Sequence, residues 1–295
     1  MTAASHRYPA PAKLNLLLRV VGRRADGYHL LQTVFRFIDY GDTVTIALRD
    51  DDAIVRTSEL PGVPAETDLV VRAARALQQA TGCRRGAAIA VEKRIPMGGG
   101  LGGGSSDAAT VLLALNHLWA TGLTRDELAR LGLALGADVP VFIFGRSAFA
   151  EGIGERLTAI ELPPAWYVVA APRGVAVPTA AIFRHPDLKR DSEPIRMLGF
   201  SAVPAGNDLQ PVVCSEFPAV ARCIEWLERH GPAMMTGSGA AAFAVFADEA
   251  QARAVAQQLP PDMQGFVAAG LDRHPLHGLA AEQGLPERRA VDGVS

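Results

Sequence analysis

Cysteine is scarce in this chain: only Cys83, Cys214 and Cys223 occur, odd in number and widely spaced. That excludes a disulfide framework and a thiolate metal cluster, and it fits a reducing compartment. Net charge is nearly absent as well. The formal value of −2 leaves no bulk basic field to hold nucleic acid or an anionic membrane. No apolar run approaches the roughly 20 residues needed to cross a bilayer. The opening MTAASHRYPAPAK lacks a basic segment followed by an apolar stretch, so no secretory signal is expected and a cytoplasmic location is. Lysine is the last shortage. Of 29 basic residues only Lys13, Lys93 and Lys189 are lysines. Lysine acts as a compact point charge and changes protonation state where arginine does not, so a lysine kept inside an apolar segment of an arginine-rich chain asks for a reason. What the chain has in quantity is apolar surface. With 49% hydrophobic and 20% charged residues over 295 positions, it can build one large domain or two modest ones.

Hydrophobic periodicity sets out the elements. In PAPAKLNLLLRVV (9–21), Ala10, Ala12, Leu14, Leu16, Leu18 and Val20 share one parity, which is strand-like, and Lys13 and Asn15 share the other face. Asp26-Gly27 marks a turn. Strands are expected at Thr33–Asp39 and Thr43–Leu48, split by Tyr40-Gly41-Asp42, and again over 87–95. Helices are expected from Asp68 to Gln79, directly after Asp107, and from Thr124 to Gly136. Thr124 and Glu127 have capping-box spacing, and Gly136 suits a left-handed C-cap. A short helix follows Asp138-Val139-Pro140. Leu162-Pro163-Pro164 reads as a domain boundary, giving units at 1–163 and 164–280 and a disordered tail over 281–295. The second unit reads as strand 166–171, a Pro-rich charged stretch to about 205, helix 218–230, strand 240–247, helix 248–259 and strand 265–269. The class is α+β.

The centre of the sequence is Pro96-Met97-Gly98-Gly99-Gly100-Leu101-Gly102-Gly103-Gly104-Ser105-Ser106-Asp107, with an apolar helix directly behind it. Glycine admits positive φ and removes Cβ, so backbone N–H groups can close around an anion, and the helix adds free N–H groups and its positive dipole end. A flexible linker would gain nothing by abutting an apolar helix. Gly98, Gly100 and Gly103 match G-x-G-x-x-G, but the preceding strand alternates and carries Glu92, Lys93 and Arg94. A dinucleotide site needs a buried parallel strand there and an acidic residue ending a second strand further on. No Lys-Ser/Thr pair closes the loop, so it is not a Walker A loop. Phosphate charge must then be met by the helix end, a divalent cation and residues from elsewhere.

Three segments in order resemble the galactokinase, homoserine kinase and mevalonate kinase (GHMP) superfamily: Pro11-Ala12-Lys13-Leu14-Asn15-Leu16, Pro96 to Ser106, and Thr236-Gly237-Ser238-Gly239-Ala240. The resemblance implies a two-domain fold, with an N-terminal domain like ribosomal protein S5 domain 2 and a ferredoxin-like C-terminal domain. The active site is then expected in the cleft between them. It implies an ATP-dependent kinase with Mg2+ as cofactor. One branch of the superfamily is similar over about residues 9–278, through Arg24-Ala25-Asp26-Gly27-Tyr28-His29, Asp39-Tyr40-Gly41-Asp42, Gly136-Ala137-Asp138-Val139-Pro140, Ala148 to Gly154, and Pro275-Leu276-His277. That branch implies a cytidine diphosphate sugar-alcohol as acceptor. Phosphorylation is then expected at the 2-hydroxyl of its erythritol moiety, in isoprenoid precursor synthesis outside the mevalonate route. A monomer or weak homodimer is expected.

Roles follow residue by residue. By the residues alone, Asp138 is either the N-cap of the short helix or a base that accepts a hydroxyl proton; the resemblance puts the catalytic aspartate here. An ammonium at Lys13 would favour the charged carboxylate and orient the acceptor hydroxyl. Otherwise Lys13 is a surface lysine on an exposed strand face. Pro96 to Ser106 would bind ATP. Ser105 and Ser106 either contact phosphate or Mg2+, or cap the helix; the metal ligands stay open. Asn15, Tyr28, His29 and Phe183 would bind the acceptor, with aromatic rings stacking on the pyrimidine and the imidazole bonding its edge. Thr236, Gly237, Ser238 and Gly239 form either a second glycine loop over the phosphates or a plain turn. His274-x-x-His277 lacks a third ligand and reads as no metal site. Two rivals remain: another kinase of the superfamily, acting on homoserine or a sugar, and a nucleotide-binding regulator without turnover. Tyr28-His29 argues against the first, and the retention of both Lys13 and Asp138 against the second.

Overall fold

The computed structural model describes residues 5–195 and 205–277; the tail expected at 281–295 lies outside them. The chain opens with two long antiparallel strands, β1 (Ser5–Arg23) and β2 (His29–Arg49), joined by the Asp26-Gly27 turn. The two strands expected on either side of Tyr40-Gly41-Asp42 are therefore one. Gly41 makes a close approach here, not a turn. A Cβ on it would sit 2.7 Å from the Cα of Pro11, so only glycine lets β1 lie against β2 at this point.

The order continues with β3 (Ile54–Arg56), α1 (Leu69–Thr81), β4 (Gly86–Glu92), α2 (Gly103–Leu118), α3 (Arg125–Leu135), α4 (Val139–Phe144), β5 (Ala148–Glu151) and β6 (Arg156–Ala159). Asp68 caps α1 by accepting from the Val70 N–H at 3.1 Å. The Thr124–Glu127 capping box forms at α3. Gly136 is not the expected left-handed C-cap. Its φ is 178°, extended backbone, because the chain runs straight on into the turn that starts α4. β4 stops at Glu92 instead of reaching 95, since the Asp42 carboxylate takes the N–H groups of Arg94 (2.6 Å) and Ile95 (2.8 Å).

Beyond Leu162-Pro163-Pro164 come β7 (Trp166–Pro172), α5 (Thr179–Arg184), α6 (Gln210–Glu216), α7 (Pro218–Glu228), β8 (Ala233–Met235), β9 (Ala242–Phe246), α8 (Glu249–Ala256) and β10 (Met263–Leu271). The α+β class holds. Short helix α5 lies in the stretch read only as Pro-rich and charged. The sheet runs β3-β4-β2-β10-β7-β9-β8, with β1 and β5 on β2 and β6 on β5. Every pairing is antiparallel except β3 with β4. β10 joins β2 through Gly270 and Leu271 alone, so the two halves of the sheet meet at a narrow seam. Buried apolar clusters lie on each side of it. One is built on Phe37, Ile46, Leu77, Leu112 and Phe142, the other on Val168, Val213, Ile224, Leu227 and Ala244.

His274 is packed edge-on against Phe37 (5.6 Å between centroids) and Phe142 (6.4 Å). Burial, then the charges of Arg125 and His277, push its pKa down from 6.5 to about 3. The unfolded chain takes up this proton near pH 6.5 and the folded one only near 3, so acid favours unfolding. Between those limits His274 should cost about 1.4 kcal/mol of stability per pH unit. Urea unfolding at pH 7 and pH 5 should show His274→Asn losing less than the parent on acidification. An equal loss in both proteins would contradict this placement.

Candidate active site

Two register shifts in the β1–β2 ladder, at Pro11/Lys13 and at Asn15/Leu17, bracket Lys13 to Asn15. Such irregularities re-aim side chains. From Ala10 to Leu18 both faces of β1 are buried. Ala12, Leu14 and Leu16 enter a core with Val34, Ile38, Phe149 and Tyr167, while Lys13 and Asn15 line a cavity of about 370 Å³. The surface-lysine alternative fails, because Lys13 is 2% exposed.

Two hydrogen bonds and one ion pair hold the Lys13 ammonium. Nζ donates to Asn15 Oδ1 (2.5 Å) and to the Gly100 carbonyl (2.8 Å), and it pairs with Asp138 Oδ2 at 3.3 Å. The Lys13 backbone N–H also donates to Leu101 O at 3.0 Å, so this residue grips the glycine loop with both ends. Asp138 begins α4, yet its side chain makes no capping hydrogen bond. The capping alternative is thereby set aside, and the carboxylate faces the cavity, about one third exposed.

The glycine loop separates two cavities. Gly98, Gly100 and Gly102 have φ of 69°, 71° and 74°, a region glycine enters without strain. Together with Ser105 they line both the first cavity and a second of about 380 Å³. The second is walled by Leu60, Val63, Leu69 and Met97, and by Lys93 and Asp107. At Gly102 a Cβ would lie 3.0 Å from the Phe142 ring and 3.2 Å from Lys13 Cε. Gly102 is also the N-cap of α2 and offers no side chain to its first-turn N–H groups, which leaves them open for an anion. Ser106, by contrast, is fully buried and lines neither cavity.

The second glycine segment docks on the first. The N–H groups of Ala240 and Ala241 donate to the carbonyls of Gly98 (3.1 Å) and Gly99 (3.2 Å), and Thr236 Oγ1 accepts from the Asn15 N–H at 3.0 Å. Gly237, Ser238 and Gly239 line the first cavity, where Ser238 Oγ lies 2.6 Å from Thr179 Oγ1. At the far end of that cavity His29 and Phe183 meet with ring centroids 5.1 Å apart. Tyr28 is not among the lining residues; it stands 59% exposed in the β1–β2 turn.

Sequence reasoning missed a buried cluster under the loop. Lys93 Nζ bridges the carboxylates of Asp42 and Asp107, the latter at 2.8 Å. One cation faces two carboxylates, so a negative charge is left over. Burial pushes the Asp107 carboxyl up to about 7, Lys93 opposes this, and Asp42 adds to the rise. Burial works against the Lys93 ammonium, but Asp107 and Asp42 outweigh it and raise its pKa. The shortage of lysine was the available signal, and it pointed at Lys93 as much as at Lys13. Among the described residues, no group of three or more His, Cys, Asp or Glu side chains could hold a metal by itself.

Comparison with known proteins places the chain in a family. Residues 68–146 match the GHMP kinases N terminal domain and residues 184–263 the GHMP kinases C terminal domain. Proteins named 4-diphosphocytidyl-2-C-methyl-D-erythritol kinase are similar along most of the chain. The one from Dechloromonas aromatica is 62% identical, covering 91% of this chain and 98% of its own length. The one from Thiobacillus denitrificans is 59% identical, covering 94% and 100%. A crystal structure of 4-(cytidine 5'-diphospho)-2C-methyl-D-erythritol kinase superposes with a TM-score of 0.75 at 35% identity, over 90% of this chain and 99% of that one. A homoserine kinase from Cytophaga hutchinsonii, at 17% identity and a TM-score of 0.64, shares the fold.

Proposed function

The chain belongs to the GHMP kinases, in the 4-diphosphocytidyl-2-C-methyl-D-erythritol kinase family, and on that premise we propose that it moves the γ-phosphoryl group of ATP onto the 2-hydroxyl of that compound's erythritol moiety. The reaction is a phosphoryl transfer in isoprenoid precursor synthesis. The observation that carries this reading is the ion pair between Lys13 and Asp138, set where two cavities share the glycine loop as a wall. ATP would occupy the cavity beside Met97 and Lys93, with its phosphates on the loop and the start of α2. The acceptor would occupy the other, with its hydroxyl against Asp138.

Asp138 would accept the hydroxyl proton as the phosphoryl group arrives. Lys13, fixed by Asn15 and the Gly100 carbonyl, would hold that carboxylate in place and set positive charge beside the transferring group. Loop N–H groups would meet the charge on the phosphate oxygens. The donor set fits Mg2+ carried in on the nucleotide, because that ion keeps waters and phosphate oxygens as ligands and needs few from protein. Ser105, at the seam of the two cavities, is the hydroxyl at hand; the ion would supply neutralisation of phosphate charge. Ser106, buried away from both cavities, is left out of this role. A cytoplasmic enzyme is part of the proposal.

Phe183 and His29 would receive the cytosine, with Tyr28 folding over its open face. Phe183→Ala should raise the acceptor KM about tenfold, the cost of one aromatic stack of about 1.4 kcal/mol. The ATP KM should stay put. Tyr28→Ala should act in the same direction. Steady-state kinetics with each substrate varied in turn checks this, and a shift confined to the ATP KM would contradict the assignment of the two cavities.

A further inference from the structure

We propose that Arg190, a residue outside the reacting centre, is the positioning residue for recognition of the base: it fixes which nitrogen of His29 carries the proton and holds the Phe183 wall in register with it. This rests on the reading of the His29–Phe183 end as the base pocket.

The geometry is specific. Arg190 Nε donates to His29 Nε2 at 3.1 Å. Its Nη2 donates to the carbonyls of Phe183 (3.1 Å) and His185 (2.7 Å), and Nη1 to that of Leu188 (3.0 Å). One guanidinium thus ties the imidazole at the start of β2 to the chain segment that carries Phe183. The arginine is itself supplied from a fixed side. Just beyond it, Ser192 N–H donates to Val20 O at 3.1 Å and Ile195 N–H to Gln32 Oε1 at 2.7 Å, which pins the segment to β1 and β2.

A guanidinium only donates and is always charged. Its Nε–H therefore requires a lone pair on His29 Nε2. A neutral imidazole has one donor and one acceptor, so the proton sits on Nδ1. A charged imidazolium would set one N–H against another. Burial, then Arg190 and Arg23, depress the His29 pKa in the same sense. His29 is 8% exposed and lines the cavity, so the nitrogen left for a ligand is a donor. That donor suits a base edge that accepts, as cytosine offers at O2 and N3. In water the neutral ring favours the other tautomer; Arg190 reverses the preference before any ligand arrives.

The test uses the full chain with 15N-labelled histidine and two-bond 1H–15N correlation spectra at neutral pH, with His29→Gln serving only to assign the signal. The parent should show His29 protonated on Nδ1 without any substrate. Arg190→Met should return it to Nε2–H, raise the acceptor KM at least about tenfold for one mismatched hydrogen bond, and leave kcat and the ATP KM within about twofold. Arg190→Lys, which keeps a charged donor, should recover part of both effects. A parent ring protonated on Nε2, or on both nitrogens, overturns the proposal. So does an Arg190→Met protein whose tautomer and acceptor KM are unchanged, or one that loses kcat, both KM values and thermal stability together, which would mark a merely structural bracket. The spectra need no acceptor, so a different natural substrate would leave the tautomer result standing while removing the base-pocket reading.

Discussion

Asp138→Asn should fold as the parent does, bind ATP as tightly, and lose about 10²- to 10⁴-fold in kcat, the usual contribution of a positioned base. The reasons lie in the exposure and partners of this side chain. It is about one third exposed, caps nothing, and is held by a single ion pair at 3.3 Å. In the variant the Lys13 ammonium keeps its bonds to Asn15 Oδ1 and the Gly100 carbonyl, so the thermal midpoint should move little. The amide keeps the shape and can still lie near Lys13, but it cannot accept the proton of an incoming hydroxyl. Loss of turnover with stability and nucleotide affinity intact is therefore the expected pattern. Retained turnover in Asp138→Asn would remove the base from the mechanism.

Lys13→Met should fail differently. It should lose at least about 10²-fold in kcat, the scale set by removing one preorganised charge-stabilising donor, and it should also lose stability. Lys13 is buried and satisfies Asn15 Oδ1 and Gly100 O. Each buried acceptor left without a donor costs about 1–3 kcal/mol, so thermal unfolding should shift down measurably where Asp138→Asn does not. Lys13→Arg should not rescue activity. Nζ is matched at one point by Asn15 Oδ1 at 2.5 Å and the Gly100 carbonyl at 2.8 Å in a buried position, and the longer planar fork of arginine sets its donors elsewhere. Melting curves and single-turnover rates on the three variants check the contrast. Full recovery by arginine would show that any positive charge suffices.

These two residues were visible in the sequence for different reasons. Lys13 stood out because lysine is rare and this one sits in an apolar alternation. Asp138 carried a cap-like context that pulled the reading toward structure. The glycine loop was legible because its conformation is written in residue type: positive φ at Gly98, Gly100 and Gly102 is what the string of glycines requires. Gly41 misled for the same reason. It reads as a turn, whereas its missing Cβ serves a close strand approach. The rarity of lysine marked Lys93, but its partners Asp42 and Asp107 and the whole of the Arg190 bracket were not legible. Cluster and bracket each join residues far apart in sequence: Asp42 and Lys93 are 51 positions apart and His29 and Arg190 are 161 apart. No local pattern records such a meeting. The walls at Leu60, Val63 and Leu69 were missed likewise, because ordinary apolar residues become a cavity lining only once α1 and the loop before it are folded against α2.

The central claim is transfer of one phosphoryl group between the two cavities to a cytidine-linked alcohol. The most direct measurement is ADP release by the purified protein with Mg-ATP, with and without 4-diphosphocytidyl-2-C-methyl-D-erythritol, followed by mass analysis of the products. ADP release that depends on this acceptor, with a single phosphate added to it, is the predicted result. Release on homoserine or a sugar but not on this compound would contradict the acceptor assignment, and ATP binding without turnover on any alcohol would contradict the kinase mechanism itself.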